Sequence, residues 1–149
     1  MKRAVIISVI SLLAAHGSAA QETTTVTVAE SDTYGEYLSV DDKPVYLFTT
    51  DVQGGGGAEA SISCNEECRA AWPLVTTGTS ADAEGEAQSD LIGTVEFDNR
   101  NVVTYNGWPL YFFARDSEGN PPTGQEIESF GGEWYLIAPD GTRIEGEGA

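Results

Sequence analysis

The chain has 149 residues, with 24 acidic side chains against 7 basic ones and a formal net charge of −17. That balance repels phosphate backbones and anionic lipid surfaces, which argues against nucleic acid as a partner. The only histidine and the only methionine, His16 and Met1, lie near the start. The rest of the chain therefore has no ligands for imidazole-bound zinc, type 1 copper or His/Met-ligated haem, and no Ser-His-Asp or Cys-His catalyst.

Residues 1–20 read as a signal peptide. Lys2 and Arg3 form a basic start, residues 4–15 are mostly apolar, and Ser18-Ala19-Ala20 supplies small residues for cleavage. The apolar run is shorter than the roughly 20 residues that a membrane span needs. No later stretch is apolar enough to span. The expectation is export, with residues 21–149 as one mature β domain.

Along that domain, residues 23–29 are rich in Thr and Val and predict a strand. Residues 37–40 and 45–50 predict a hairpin around Asp41-Asp42-Lys43-Pro44. Residues 52–60 hold four consecutive glycines and predict a flexible loop. Residues 64–71 predict a short helix with Ser63 as N-cap, stopped by Pro73. Residues 78–90 are small, acidic and aperiodic, and predict a mobile surface loop.

Residues 91–97 and 101–105 predict strands around Asp98-Asn99-Arg100, and Asn106-Gly107 is a strong hairpin signal leading to a returning strand at 110–114. Residues 116–125 read as a polar loop. A last hairpin is expected at 133–138 and 142–145 around Pro139-Asp140-Gly141, followed by a frayed tail over 145–149. The fold class that follows is mainly β, an antiparallel sandwich or barrel with one short helix.

The chain contains one pattern twice. Pro44-Val45-Tyr46-Leu47-Phe48-Thr49-Thr50-Asp51 recurs, offset by 65 residues, as Pro109-Leu110-Tyr111-Phe112-Phe113-Ala114-Arg115-Asp116. Each copy follows a turn and precedes a tryptophan segment, Trp72-Pro73-Leu74 and Trp134-Tyr135-Leu136. Copy one spans about residues 34–77 and copy two about 99–145. Neither could bury its aromatic face alone, so one fused core is expected.

On these residues the chain resembles a bacterial secreted-repeat family described as predicted lipoproteins with a Tyr-x-aromatic-x-x-Asp motif. The resemblance rests on the two motif copies, on Cys64-x-x-x-Cys68-x-x-x-Trp72-Pro73, on Tyr105-Asn106-Gly107-Trp108-Pro109-Leu110-Tyr111 and on Gly124-Gln125 leading to Trp134. It implies export but transfers no biochemical activity. Lipid anchoring is not expected, because Gln21 and not a cysteine stands directly after the expected signal.

Cys64 and Cys68 are the only cysteines, and in an exported protein they predict one disulfide. Its closed loop is tiny and contributes only about 2 kcal/mol in the chain-entropy model. Thiol–disulfide exchange and soft-metal binding remain open alternatives for this pair. Tyr46 and Phe48 share one strand face, as do Tyr111 and Phe113, and these four read either as core or as an aromatic groove built twice.

Asp51 and Asp116 suit turn caps, with paired carboxylates or a calcium loop at residues 116–120 as alternatives. Trp72 and Trp134 are expected to plug the two ends of the core. Trp108 follows a turn glycine and is expected to be the exposed tryptophan on a binding surface.

The resulting expectation is an exported non-enzymatic β-domain that binds an envelope protein or a small ligand and needs no cofactor or metal. The alternatives are a periplasmic thiol–disulfide or electron-transfer accessory using Cys64 and Cys68, and a carboxylate-based calcium binder.

Overall fold

The computed structural model describes residues 23–146. The expected signal peptide and the last residues of the expected tail lie outside the described residues. The fold is mainly β with one short helix, and its several sheets do not close into a barrel. Among the described residues, no helix is long and apolar enough to cross a membrane.

Strands β1 (Thr24–Ser31) and β2 (Gly35–Val40) pair antiparallel, and β2 returns through Asp41-Asp42 to β3 (Lys43–Pro44). Strand β4 (Tyr46–Phe48) follows. Helix α1 (Glu66–Ala71) leads to β5 (Thr76–Thr77) and β6 (Ala81–Ala83). Copy two then repeats the opening. Strands β7 (Ile92–Phe97) and β8 (Arg100–Tyr105) pair antiparallel, and β8 returns through Asn106-Gly107 to β9 (Trp108–Pro109). Strands β10 (Glu128–Ser129) and β11 (Gly132–Leu136) close the described chain.

Both equivalent turns take left-handed backbone at their two central residues. The φ values are 52° and 60° at Asp41 and Asp42, and 50° and 80° at Asn106 and Gly107. Asp, Asn and Gly tolerate this conformation, and its twist matches that of the flanking strands.

The two copies are interlocked. The segment after Trp134 pairs with copy one: β11 lies antiparallel to β4, with Leu136 opposite Tyr46. The segment after Trp72 pairs with copy two, where Leu74 bridges Tyr111 and Thr76 faces Val102. The hydrogen bonds repeat as well. Leu38 donates its N–H to Ile137 O at 2.9 Å, and Val103 donates to Val75 O at 2.8 Å. Thr49 N–H donates to Glu133 O at 3.1 Å, and Ala114 N–H to Ala71 O at 2.9 Å. At the centre, Tyr46 and Tyr111 face each other and exchange both backbone bonds, at 2.8 and 3.0 Å. Equivalent residues meeting in this way make the arrangement two-fold.

Several expectations are corrected in detail. The helix starts later, because Asn65 caps it by accepting from Cys68 N–H at 2.9 Å, while Ser63 donates instead to Asp51. The returning strand expected at 110–114 shrinks to β9 plus the Tyr111 bridges, since Tyr111 must turn toward copy one. Residues 78–90, read as a mobile loop, contain β6, which runs parallel to β1, and the start of a 3-10 turn (Ser89–Leu91). Small alanines there carry no visible alternation, so nothing in the sequence betrays a strand. Strand β10 was not expected either.

The four-glycine segment is also ordered. Gly55 and Ala58 bridge each other, Val52 bridges Ser61, and Gly54 N–H donates to Gly107 O at 2.9 Å. A Cβ at position 107 would fall 2.0 Å from Gly54 O, on a residue whose φ is +80°. Glycine is thus required at 107 for close approach as well as for the turn. Gly107→Ala is expected to cost about 2 kcal/mol or more in urea denaturation. Gly35→Ala, whose Cβ meets nothing within 4 Å at φ +70°, should cost only about 1 kcal/mol, the left-handed penalty alone.

Candidate functional site

The duplicated motif builds the centre of the molecule. Phe48, Trp134, Trp72 and Phe113 form one column of four rings, in that order. Successive centroids lie 4.0, 3.9 and 4.3 Å apart, and the two indoles are parallel to within 1°. Each tryptophan stacks on the phenylalanine of the other copy. Tyr46 meets Trp72 edge-on at 5.3 Å, and Tyr111 meets Trp134 edge-on at 5.0 Å. Trp72 and Trp134 thus pack against each other at one centre and do not plug two separate ends.

The polar atoms of the motif cross between copies too. Tyr46 donates its hydroxyl to Asp116 Oδ2 at 2.5 Å, and Tyr111 donates to Asp51 Oδ2 at 2.6 Å. Asp51 Oδ1 accepts from Ser63 N–H and Oγ, both at 2.8 Å. Asp116 Oδ1 accepts from Thr123 N–H at 2.9 Å and from its Oγ1 at 2.6 Å. Gly124 N–H also reaches the Tyr46 hydroxyl, at 3.1 Å.

Tyr46 and Tyr111 are both 0% exposed, so neither lines an open groove. All four carboxylate oxygens have donors, which leaves no free carboxylate pair for acid–base work. Burial pushes both phenols far above the ordinary 10.0, and the facing carboxylates add to the shift. Burial also raises Asp51 above 3.8, outweighing the hydrogen bonds it accepts from Ser63 and Tyr111.

Cys64 and Cys68 form a disulfide with Cα atoms 5.3 Å apart. Cys64 precedes the helix cap and Cys68 sits in its first turn. Both are buried beside the ring column. A notch of about 110 Å³ lies next to them, lined also by Phe48, Ser63, Asn65 and Phe130. Among the described residues, no group of three or more His, Cys, Asp or Glu is placed to hold a metal.

Trp108, expected to be exposed, is half-buried and packs on the aliphatic cluster of Leu38, Val45, Val103 and Leu110. The adjoining turn opens instead onto a cleft of about 370 Å³ between the glycine segment and β7. Gly54, Ala58 and Glu59 line one side, Asp90 and Gly93 the other, and Thr104 and Gly107 complete it.

Residues 98–138 match the model of a family described as a secreted repeat of unknown function. The matched span runs from the Asp98-Asn99 turn to β11 and contains all of motif copy two. The description supports an exported protein. No curated protein and no solved structure matches the chain.

The structure therefore brings Tyr46, Phe48, Asp51, Trp72, Tyr111, Phe113, Asp116 and Trp134 into one buried assembly, with Cys64 and Cys68 at its edge and Trp108 apart. The reading of the sequence missed the cleft. Its signals were the glycine run, taken as slack, and Gly93, a glycine inside a strand, which often marks a close approach.

The buried phenols set a pH limit. A folded-state pKa raised above 10.0 contributes stability that is fully present below pH 10 and is lost as pH rises beyond it, because the unfolded phenols ionise first. Stability should fall above pH 10 by about 1.4 kcal/mol per pH unit for each such tyrosine. Tyr46→Phe and Tyr111→Phe should each flatten the slope by one such increment, read from urea midpoints across the alkaline range.

Proposed function

We propose that this protein is a non-enzymatic β-domain of the cell envelope that binds a small ligand or a partner through the cleft beside the glycine segment. The observation that carries this reading is the complete internal use of the duplicated motif. Its hydroxyls, carboxylates and rings satisfy one another inside the core, so recognition falls to the surface segments the core displays. The cleft is of ordinary ligand-site size, and the glycine segment that walls it is clamped to the Asn106-Gly107 turn. A periplasmic location fits a signal-bearing chain that keeps its one disulfide oxidised.

The test is intact mass under non-denaturing conditions on protein taken from its native envelope fraction. A mass above the bare polypeptide, lost on denaturation, supports binding. A bare chain under conditions that retain known ligands on control proteins counts against it.

A second reading, thiol–disulfide exchange at Cys64 and Cys68, has one observation in its favour, the notch that reaches the pair. Their burial opposes it. The expected result is a reduction potential below about −300 mV, as for structural disulfides, and a clearly higher value would revive the redox reading.

A further inference from the structure

Among the described residues, every buried side-chain polar atom has a hydrogen-bond partner. An open row of hydrogen-bonding groups lies instead in the backbone of β7. Val103 of β8 donates to Val75 O and accepts from Leu110 N–H, so it turns away from β7, while Asn106 N–H donates to Leu91 O. Residues along an antiparallel strand bond alternately to one side and the other. Leu91, Gly93, Val95 and Phe97 therefore bond toward β8, and Ile92, Thr94 and Glu96 present their backbone groups on the outer side. Ile92 N–H is taken by Ser89 O. Among the described residues, the outward backbone groups of Thr94 and Glu96 have no partner, and both residues are exposed.

The strand equivalent to β7 in copy one is β1. The two turns correspond, so Ser39 matches Thr104, and their ladder partners Thr27 and Gly93 match in turn. On β1 the outer edge receives a further strand. β6 runs along Thr24–Val26, with Thr24 N–H donating to Ser80 O at 3.2 Å and Glu84 N–H to Val26 O at 3.0 Å. Among the described residues no strand pairs with the outer edge of β7, which ends its sheet. The cleft beside the glycine segment reaches this edge at Ile92 and Thr94.

We propose that the outer edge of β7 binds an extended, basic peptide segment of a partner protein, which adds a strand through Thr94 and Glu96. The assignment rests on the binding reading above and names its partner. Strand addition draws affinity from main-chain hydrogen bonds and selectivity from side chains at alternate positions. Here the selectivity comes from charge. Glu96 stands exposed on the open edge and exposed Asp98 follows it. The facing position on an incoming strand therefore favours Lys or Arg, as an opposite-charge cross-strand pair. A charged edge discourages pairing with a like-charged strand, and a second copy brings a net charge of −17. The occupant is thus a basic segment and not another copy of this chain.

The experiment is calorimetric titration of the full mature protein at about 150 mM salt, which screens diffuse attraction. The probes are a terminally blocked hexapeptide of alternating lysine and valine, the same peptide with glutamate for lysine, and two N-methylated forms of the lysine peptide, one methylated at the lysines and one at the valines. Saturable one-site binding of the lysine peptide is expected, with none for the glutamate peptide. One N-methylated form should bind and the other should not, because only one alternate set of N–H groups faces β7. Amide hydrogen exchange at Thr94 and Glu96 should slow in the complex. Thr94→Pro removes an N–H that β8 does not use, so it should leave the fold in place and weaken binding about tenfold or more. If Thr94→Pro does not fold, exposed Glu96→Lys carries the test and should reverse the preference between the lysine and glutamate peptides.

Unsaturable binding, or equal binding of the two N-methylated forms, would overturn the assignment in favour of general attraction for cations. A dimer in sedimentation that Thr94→Pro abolishes would give the edge to a second copy and overturn the choice of partner. If no peptide binds while the native-source protein still carries an adduct, the strand assignment fails and the binding reading stands. A bare native-source protein that also ignores every peptide removes both.

Discussion

The stacked indoles of Trp72 and Trp134 are the contact through which each copy holds the other. Their centroids are 3.9 Å apart, and each is backed by a phenylalanine from the opposite copy. Large aromatic surfaces contribute most when fully withdrawn from water, and stacking adds to that burial. The Tyr–Asp bonds then fix the angular position of the column, because each phenol has one acceptor and that acceptor lies in the other copy. Strand pairing follows from the same crossing: once Trp134 lies against Phe48, Leu136 must face Tyr46, and the equivalent holds for Trp72. Neither copy has a complete sheet or a complete core by itself.

This crossing also shapes how the chain reaches its fold. The bonds that define the centre join residues far apart in sequence, with separations of 70 for Tyr46 to Asp116, 60 for Tyr111 to Asp51 and 84 for Glu133 to Thr49. Contacts of such long range form only after large loops have closed, which slows folding relative to a chain of local hairpins. The β1–β2 and β7–β8 hairpins, with their left-handed Asp and Asn turns, are the local structures available to form first. The disulfide between Cys64 and Cys68 ties only neighbouring residues and does nothing to shorten the long loops.

Much of this was legible from residue order. The Pro-x-Tyr-x-Phe-x-x-Asp repeat announced two equivalent halves, and Asn106-Gly107 placed its hairpin correctly because few other residues accept that backbone. Alternation located β7 and β8. The cross-copy partners were not legible, because Tyr46 and Asp116 bear no sequence sign of each other, and a carboxylate reads the same whether it caps a turn or receives a buried phenol. Strand β6 escaped notice since Ala81, Asp82 and Ala83 lack the bulk that marks strands. The glycine run misled most: absence of side chains suggested freedom, whereas here it permits backbone to lie against backbone at Gly107.

The central exchange between Tyr46 and Tyr111 has the form of a symmetric homodimer interface tied into a single chain. A true homodimer must present every surface feature twice, since both subunits share one sequence. A fused pair is released from that rule while its core keeps the symmetry. The exterior here has used the release. Copy one carries a disulfide and a helix before its tryptophan, while copy two carries the β10–β11 hairpin in the same place. The glycine segment has no counterpart after Asp116. A body symmetric at its centre thus acquires a front and a back, and its two faces are no longer interchangeable.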